Sequence, residues 1–180
     1  MTSKTQTLDS LPAAARDSAT KARRILVVTG ESDDDYARTR AAAFDIAAET
    51  GAEVILYDHS AESHFVDPYL AGPVAADVRG THGESLLDEQ KVETLGRAYL
   101  ADQIREARSC GVEAQAWLPL QTGRQGISEG VSRFDADLVI VPETLAKDSD
   151  VGVPLLVVGA DGAIGVAESD GKPADAPVKS

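Results

Sequence analysis

Short, unbroken apolar runs recur along this chain, and they decide most of what it can fold into. "RILVVTG" closes at Gly30, "AEVILYD" at Asp58, and two further runs occupy Leu138 to Val141 and Leu155 to Val158. A run of strand length without polar alternation suits a strand buried on both faces, which is the situation in a parallel sheet covered by helices. "VEAQAWL" adds a less continuous strand between the second and third runs.

The segments between the runs read as helices. "ESDDDYARTRAAAFDIAAETG" offers Ser32 as an N-cap with Asp35 three positions on, an Asp run at the electropositive helix start, and Gly51 as a stop. Ala37, Ala41, Phe44 and Ala48 share one face at helical spacing. Strand, helix and strand in that length form a βαβ unit with parallel strands and a right-handed crossover. "LLDEQKVETLGRAYLADQIREARSCG" continues as one helix, with Val92, Leu95, Tyr99, Ile104 and Ala107 near one face and Gly111 as the stop. "TGRQGISEGVSRFD" places Ile127, Val131 and Phe134 on one stripe. The expected fold is α/β: a five-stranded, mostly parallel sheet with helices on both faces.

Composition sets the limits of function. With 180 residues and 43% hydrophobic content the chain supports one core, and aromatic content of 4% leaves aliphatic side chains to fill it. The net charge of −13 argues against nucleic acid or an anionic membrane as partner, since both require clustered Lys and Arg. Cys110 is the single cysteine, so no internal disulfide forms, and a reducing cytoplasm fits best. Residues 1–23 are Ser-, Thr- and Ala-rich and are expected to be a disordered tail; Asp9 and Asp17 speak against an organelle transit peptide. Residues 24–160 form the domain, and residues 161–180, rich in Gly, Ala, Pro and charge, are expected to be a second disordered tail.

In such sheets ligands bind beyond the carboxyl ends of the strands, where the strand order reverses. That directs attention to Thr29 to Ser32, Tyr57 to Ser60, Pro119 to Gly123 and Val141 to Thr144.

At these residues the pattern resembles the universal stress protein family. The likeness is carried by "ILVVTGES", "GAEVILYDHS", "GISEGVSRFDADLVIVPE" and "VPLLVVG", over roughly Arg24 to Gly159. It implies a Rossmann-like sheet with strand order 3-2-1-4-5, dimerisation through the last strand, and membership of either an ATP-binding or a non-binding branch. The ATP-binding branch has an acidic residue just after the first strand and a glycine loop after the fourth: Gly, two residues, Gly, nine residues, then Gly and Ser or Thr. Gly30 stands at the acidic position here, and Pro142 to Val153 is too short for the loop and holds one glycine, Gly152.

Physical chemistry points the same way. A polyphosphate grip needs several free backbone N–H groups on a chain that can turn closely. Pro142 has none to give, and Glu143 would stand beside the anion. Glu31, Asp33, Asp34 and Asp35 crowd the other helix start, where each like charge at about 4 Å costs on the order of 1 kcal/mol even in water. "ETLAK" has room for a short helical turn and no more.

Other chemistry is weaker. Gly123, Gly126 and Gly130 match neither the Rossmann nor the Walker spacing, and close helix–sheet packing explains them; Arg124 could still hold an anion. His59, His64 and His82 lie in a long loop, His59 to Ser85, among Asp58, Glu62, Asp67, Asp77 and Glu84, in no recognised metal-ligand spacing. No Ser occupies a nucleophile elbow, and Cys110 has no His nearby in sequence.

The sequence thus predicts a non-enzymatic, universal-stress-like protein acting in stress response by association. It would be cytoplasmic and homodimeric, with an unidentified regulatory protein partner and with no cofactor or metal. The dimer interface would be Pro154, Leu155, Leu156, Val157 and Val158, whose edge would otherwise be an exposed apolar template. The alternative is a protein that binds an adenine nucleotide such as ATP, or another anion, in an altered pocket walled by Thr29, Gly30, Ser32, Asp58, Val141 and Pro142, with the His-containing loop as lid. A hydrolase of the wider nucleotide-binding superfamily is a third reading, for which no nucleophile or metal is identifiable.

Overall fold

The computed structural model describes residues 7–31, 34–60, 85–119, 123–148 and 151–167. The apolar runs form a single sheet of six strands in the order β3-β2-β1-β4-β5-β6. Its strands are β1 (Arg24–Thr29), β2 (Glu53–Asp58), β3 (Ala114–Trp117), β4 (Leu138–Pro142), β5 (Leu155–Val158) and β6 (Ile164–Val166). β1 to β5 are parallel: Arg24↔Glu53 to Thr29↔Asp58 align β1 with β2, and Val139↔Leu155 to Pro142↔Val158 align β4 with β5.

Because side chains alternate along a strand, each run feeds two cores at once. Ile25, Val27, Val54, Leu56, Leu138, Ile140, Leu156 and Val158 face one cluster, covered by α2 (Ala13–Lys21), α3 (Asp34–Thr50) and α5 (Ala98–Ser109). Leu26, Val28, Ile55, Tyr57, Val139, Val141 and Leu155 face the other, covered by α6 (Arg124–Phe134). Ile127, Val131 and Phe134 bury the α6 stripe as the sequence predicts. A Cβ on Gly130 would come within 2.6 Å of the Trp117 ring and 2.8 Å of Leu26, so glycine there lets α6 lie against the sheet.

Several expectations are corrected. The sheet has six strands, because Ile164–Val166 turns back and pairs antiparallel with β5 through Leu156↔Val166, Val157↔Gly165 and Val158↔Ile164. Residues 161–167 therefore belong to the domain rather than to a tail, and β5 is not the sheet edge. At the other margin Leu87 bridges Ala116 with two backbone hydrogen bonds of 2.8 and 2.9 Å, covering part of β3. Residues 7–22 are likewise not a tail. They form α1 (Thr7–Ser10) and α2, and Leu11, Ala15, Ala19 and Ala22 are buried against the first cluster. Small side chains at four-residue spacing let α2 sit close to its neighbours, a pattern that the Ser, Thr and Ala content of this segment disguises as tail composition.

The α3 face is also rotated from the one expected. Thr39, Ala42, Ala43, Phe44, Ile46 and Ala47 are buried, whereas Ala37, Ala41 and Ala48 are exposed. Alanine is equally at home inside or outside, so Ile46 and Phe44 decide the orientation. The single long helix after residue 85 is two: α4 (Glu89–Thr94), capped by the Asp88 carboxylate accepting from Lys91 N, and α5. Gly96, at φ +76°, makes the break. Arg105 ties the pair together by ion pairs to Glu89 and Glu93. Glu143–Asp148 forms a 3-10 helix, the short turn that the length of the connection allows.

Residues 1–6 and 168–180, and most of the His59 to Ser85 loop with His64 and His82, lie outside the described residues.

Candidate functional site

The carboxyl ends of β1, β2 and β4 bring together five of the six expected pocket residues; Ser32 lies outside the described residues. Pleating sends Thr29 and Asp58, register partners on adjacent strands, towards α5. Both side chains are fully buried.

A polar layer holds them. The Asp58 carboxylate accepts from the Tyr99 hydroxyl at 2.6 Å and from the Arg97 guanidinium at 3.1 Å, and its other oxygen accepts from Ser60 N at 2.9 Å. Arg97 also donates to Tyr99 Oη at 3.2 Å. The ion pair is almost wholly removed from water, at 5% exposure for Arg97 and 0% for Asp58. A buried carboxylate is tolerable only with donors of this kind around it. Burial first, then the negative charge of Asp58 and the hydrogen bond to it, push the Tyr99 hydroxyl well above its ordinary value, so it stays protonated and donating.

The layer continues across β1. The Thr29 hydroxyl donates to Gln103 Oε1 at 3.0 Å and accepts from the Arg40 guanidinium at 3.0 Å, while Gln103 Nε2 donates to Gly30 O at 3.0 Å. Arg40 is balanced in turn by Glu106. Nothing in the sequence marks Arg97, Tyr99, Gln103 or Arg40 as site residues. Arg97 follows the helix-breaking Gly96, where periodicity carries no information, and Gln103 and Arg40 read as ordinary helix-surface residues.

Gly30 carries no side chain, and the space that one would need is taken. An ideal Cβ would lie 2.5 Å from Tyr36 Cε2 and 2.8 Å from Ser60 Oγ. Ser60 Oγ also accepts from Glu31 N at 3.1 Å, joining the β1 end to the β2 end. His59 stands between the Tyr36 and Tyr57 rings, each centroid 6.4 Å away. On the far side, Val141 and Pro142 are buried, and Leu145 and Ala146 of the 3-10 helix pack against the same cluster as Val141. The rim carries Glu31 and Asp34, both exposed, and Asp35, which pairs with Arg38.

The remaining candidates separate. Arg124 and Gly123 are at the start of α6, where Gly123 adopts φ +78°. Cys110 is a half-buried helix C-cap. Among the described residues no group of His, Cys, Asp and Glu has the arrangement of a metal site, and no helix is long and apolar enough to cross a membrane. Grooves of about 360 and 460 Å³ open at the opposite, amino ends of β1 to β3. Charge is balanced there: Arg24 pairs with Glu53, and the Asp137 carboxylate accepts from the backbone N of Arg23 and Arg24.

A mostly parallel, doubly wound sheet whose order reverses between β1 and β4 defines an α/β protein of the Rossmann-like class. Within that class the fold is that of the universal stress proteins. A universal stress family protein from Burkholderia pseudomallei superposes with a TM-score of 0.52 at 16% identity, over 76% of this chain and 95% of the other. Similar too are a universal stress protein in complex with cAMP (TM-score 0.45, 16% identity, 76% and 95% covered) and one from Archaeoglobus fulgidus (TM-score 0.49, 13% identity, 74% and 91% covered). By sequence, no protein-family model and no curated protein matches the chain.

Proposed function

We propose that this chain is a universal-stress-type protein that works by association with protein partners, without catalysis and without a bound nucleotide or other cofactor. Its setting is a cytoplasmic stress response, and its partners are a second copy of itself and a regulatory protein.

The observation that carries the reading is the occupied space over Gly30. A nucleotide entering between the ends of β1 and β4 would meet Tyr36 and Ser60 where the first strand ends. Thr29 and Asp58, the polar groups best placed to hold it, are committed beneath α5. Val141 and Pro142 present buried apolar surface, and Pro142 has no N–H for a phosphate. The acidic rim adds repulsion.

Calorimetric titration with ATP and magnesium tests the reading. No saturable heat at millimolar nucleotide is expected. A saturable isotherm would overturn the proposal and favour a rebuilt adenine-nucleotide or anion pocket.

A further inference from the structure

We propose that the groove between the α1–α2 turn, α3 and the β5–β6 turn binds a short apolar peptide of about three residues as a zwitterion, its carboxylate at Arg38 and its ammonium group at Asp45.

The groove has a volume of about 570 Å³, within the range of clefts that hold small ligands. Helical geometry sets its floor. Arg38, Ala41, Ala42 and Asp45 stand at i, i+3, i+4 and i+7 of α3, so they share one face, with the two charged residues about 10.5 Å apart along the axis. The alanines between them end at Cβ and keep the floor low. Ala41, which the periodicity of the sequence assigns to the core, is exposed and belongs to this floor instead.

Both walls are fixed by hydrogen bonds of their own. Leu11 and Pro12 form one, and there the Arg16 guanidinium donates to the carbonyls of Leu8, Asp9 and Leu11 at 2.9, 2.6 and 3.3 Å. Gly162, Ala163 and Ile164 form the other. In that turn Gly159 N donates to Ala163 O and Gly162 N to Gly159 O, both at 2.9 Å, and the Asp161 carboxylate accepts from Ala163 N at 3.0 Å. A site built in advance spares the ligand the cost of ordering it. The groove shares no residue with the strand-end pocket, and both of its walls lie outside Arg24 to Gly159.

The two ends carry opposite charge. Arg38 gives Nη2 to Asp35, but its Nε is buried with no acceptor, and its guanidinium makes no other hydrogen bond among the described residues. An arginine with donors to spare suits a carboxylate, which accepts from two of them at once. Asp45, half-buried at the other end, supplies the negative charge that an ammonium group needs. A simple anion would meet Asp35 and Asp45 as well as Arg38, and a simple cation would meet Arg38; a zwitterion matches both ends. Three residues of extended chain span about 10 Å, the separation of the two charges. Leu11, Pro12, Ala163 and Ile164 favour small aliphatic side chains between them.

Amide chemical shifts of the full chain, titrated with trialanine, test the assignment. Saturable shifts are expected at Ala41, Ala42 and Ala163, with a dissociation constant on the order of a millimolar for so small a ligand. Amidation of the peptide's carboxyl end and acetylation of its amino end should each weaken binding at least about fivefold, and so should Arg38→Gln and Asp45→Asn. The orientation follows from combining them. Asp45→Asn should cost the acetylated peptide less than about twofold, and Arg38→Gln should cost the amidated peptide as little, because the partner charge is already gone. Ala41→Leu, at an exposed position that tolerates it, should fill the groove and abolish the shifts while the chain stays folded. Absence of saturable shifts, equal affinity for free and capped peptides, or tighter binding of a longer capped peptide would each overturn the proposal. None of these results bears on the nucleotide titration, which reports on the strand ends alone.

Discussion

The Tyr99 hydroxyl and the Asp58 carboxylate, 2.6 Å apart, join the first turn of α5 to the end of β2, with Asp58 fully buried and Tyr99 half-buried. With Arg97 they tie α5 and the turn before it to the carboxyl end of β2. Removing Arg97 would leave a buried carboxylate without its counter-charge, so Arg97→Ala should lower stability by about 3–5 kcal/mol in urea unfolding. Tyr99→Phe removes one hydrogen bond to a charged group and should cost about 1.5–3 kcal/mol.

The same contact gives a pH dependence. The Tyr99 proton is held more tightly in the folded state than its ordinary value of about 10 in the unfolded chain, chiefly through burial and then through Asp58. Its stabilising contribution is therefore complete below pH about 10 and declines as the pH rises beyond it. Alkaline unfolding curves should show a loss of stability above that pH that Tyr99→Phe lacks.

Tyr36 fills the space over Gly30, so a methyl group at residue 30 cannot be added freely. Gly30→Ala should destabilise by about 1–3 kcal/mol, the range for overpacking a filled site. Combining it with Tyr36→Ala should recover part of the loss, and a double-mutant cycle in denaturant measures the coupling.

Gly130 makes the corresponding contact on the other face. Alanine is the better helix former by about 1 kcal/mol, yet a Cβ here meets the Trp117 ring at 2.6 Å. Gly130→Ala should therefore lower the unfolding midpoint, and the fluorescence of Trp117, the single tryptophan, should change as α6 moves away from it.

α2 seals the first core with Ala15 and Ala19, both completely buried. Ala19→Glu places a carboxylate there with no partner, at a cost of about 2 kcal/mol or more. The helix should undock while the sheet persists, so trypsin would cut after Arg16 and Lys21 far faster than in the wild type.

How much of this was legible depended on the size of the side chains. The apolar runs located five strands, and Ile127, Val131 and Phe134 fixed the buried face of α6, because large aliphatic and aromatic groups have one favourable side. Alanine does not, which is why the buried faces of α2 and α3 were hidden. β6 was hidden for a related reason: "IGV", set among Gly, Ala and Asp, has too few apolar residues to signal a strand, and forms one only because β5 offers an edge. At the site, Thr29 and Asp58 followed from strand ends, but their partners Arg97, Tyr99, Gln103 and Arg40 come from separate helices or turns. Only the packing brings them together.

The most direct test of the closed site is an NMR titration that follows the backbone amides of Thr29, Gly30, His59 and Val141 as ATP and magnesium are added. The account predicts that these resonances stay in place up to millimolar nucleotide. Saturable shifts centred on Gly30 and His59 would contradict it, because they would mean that Tyr36 moves aside and the end of the sheet opens to a ligand.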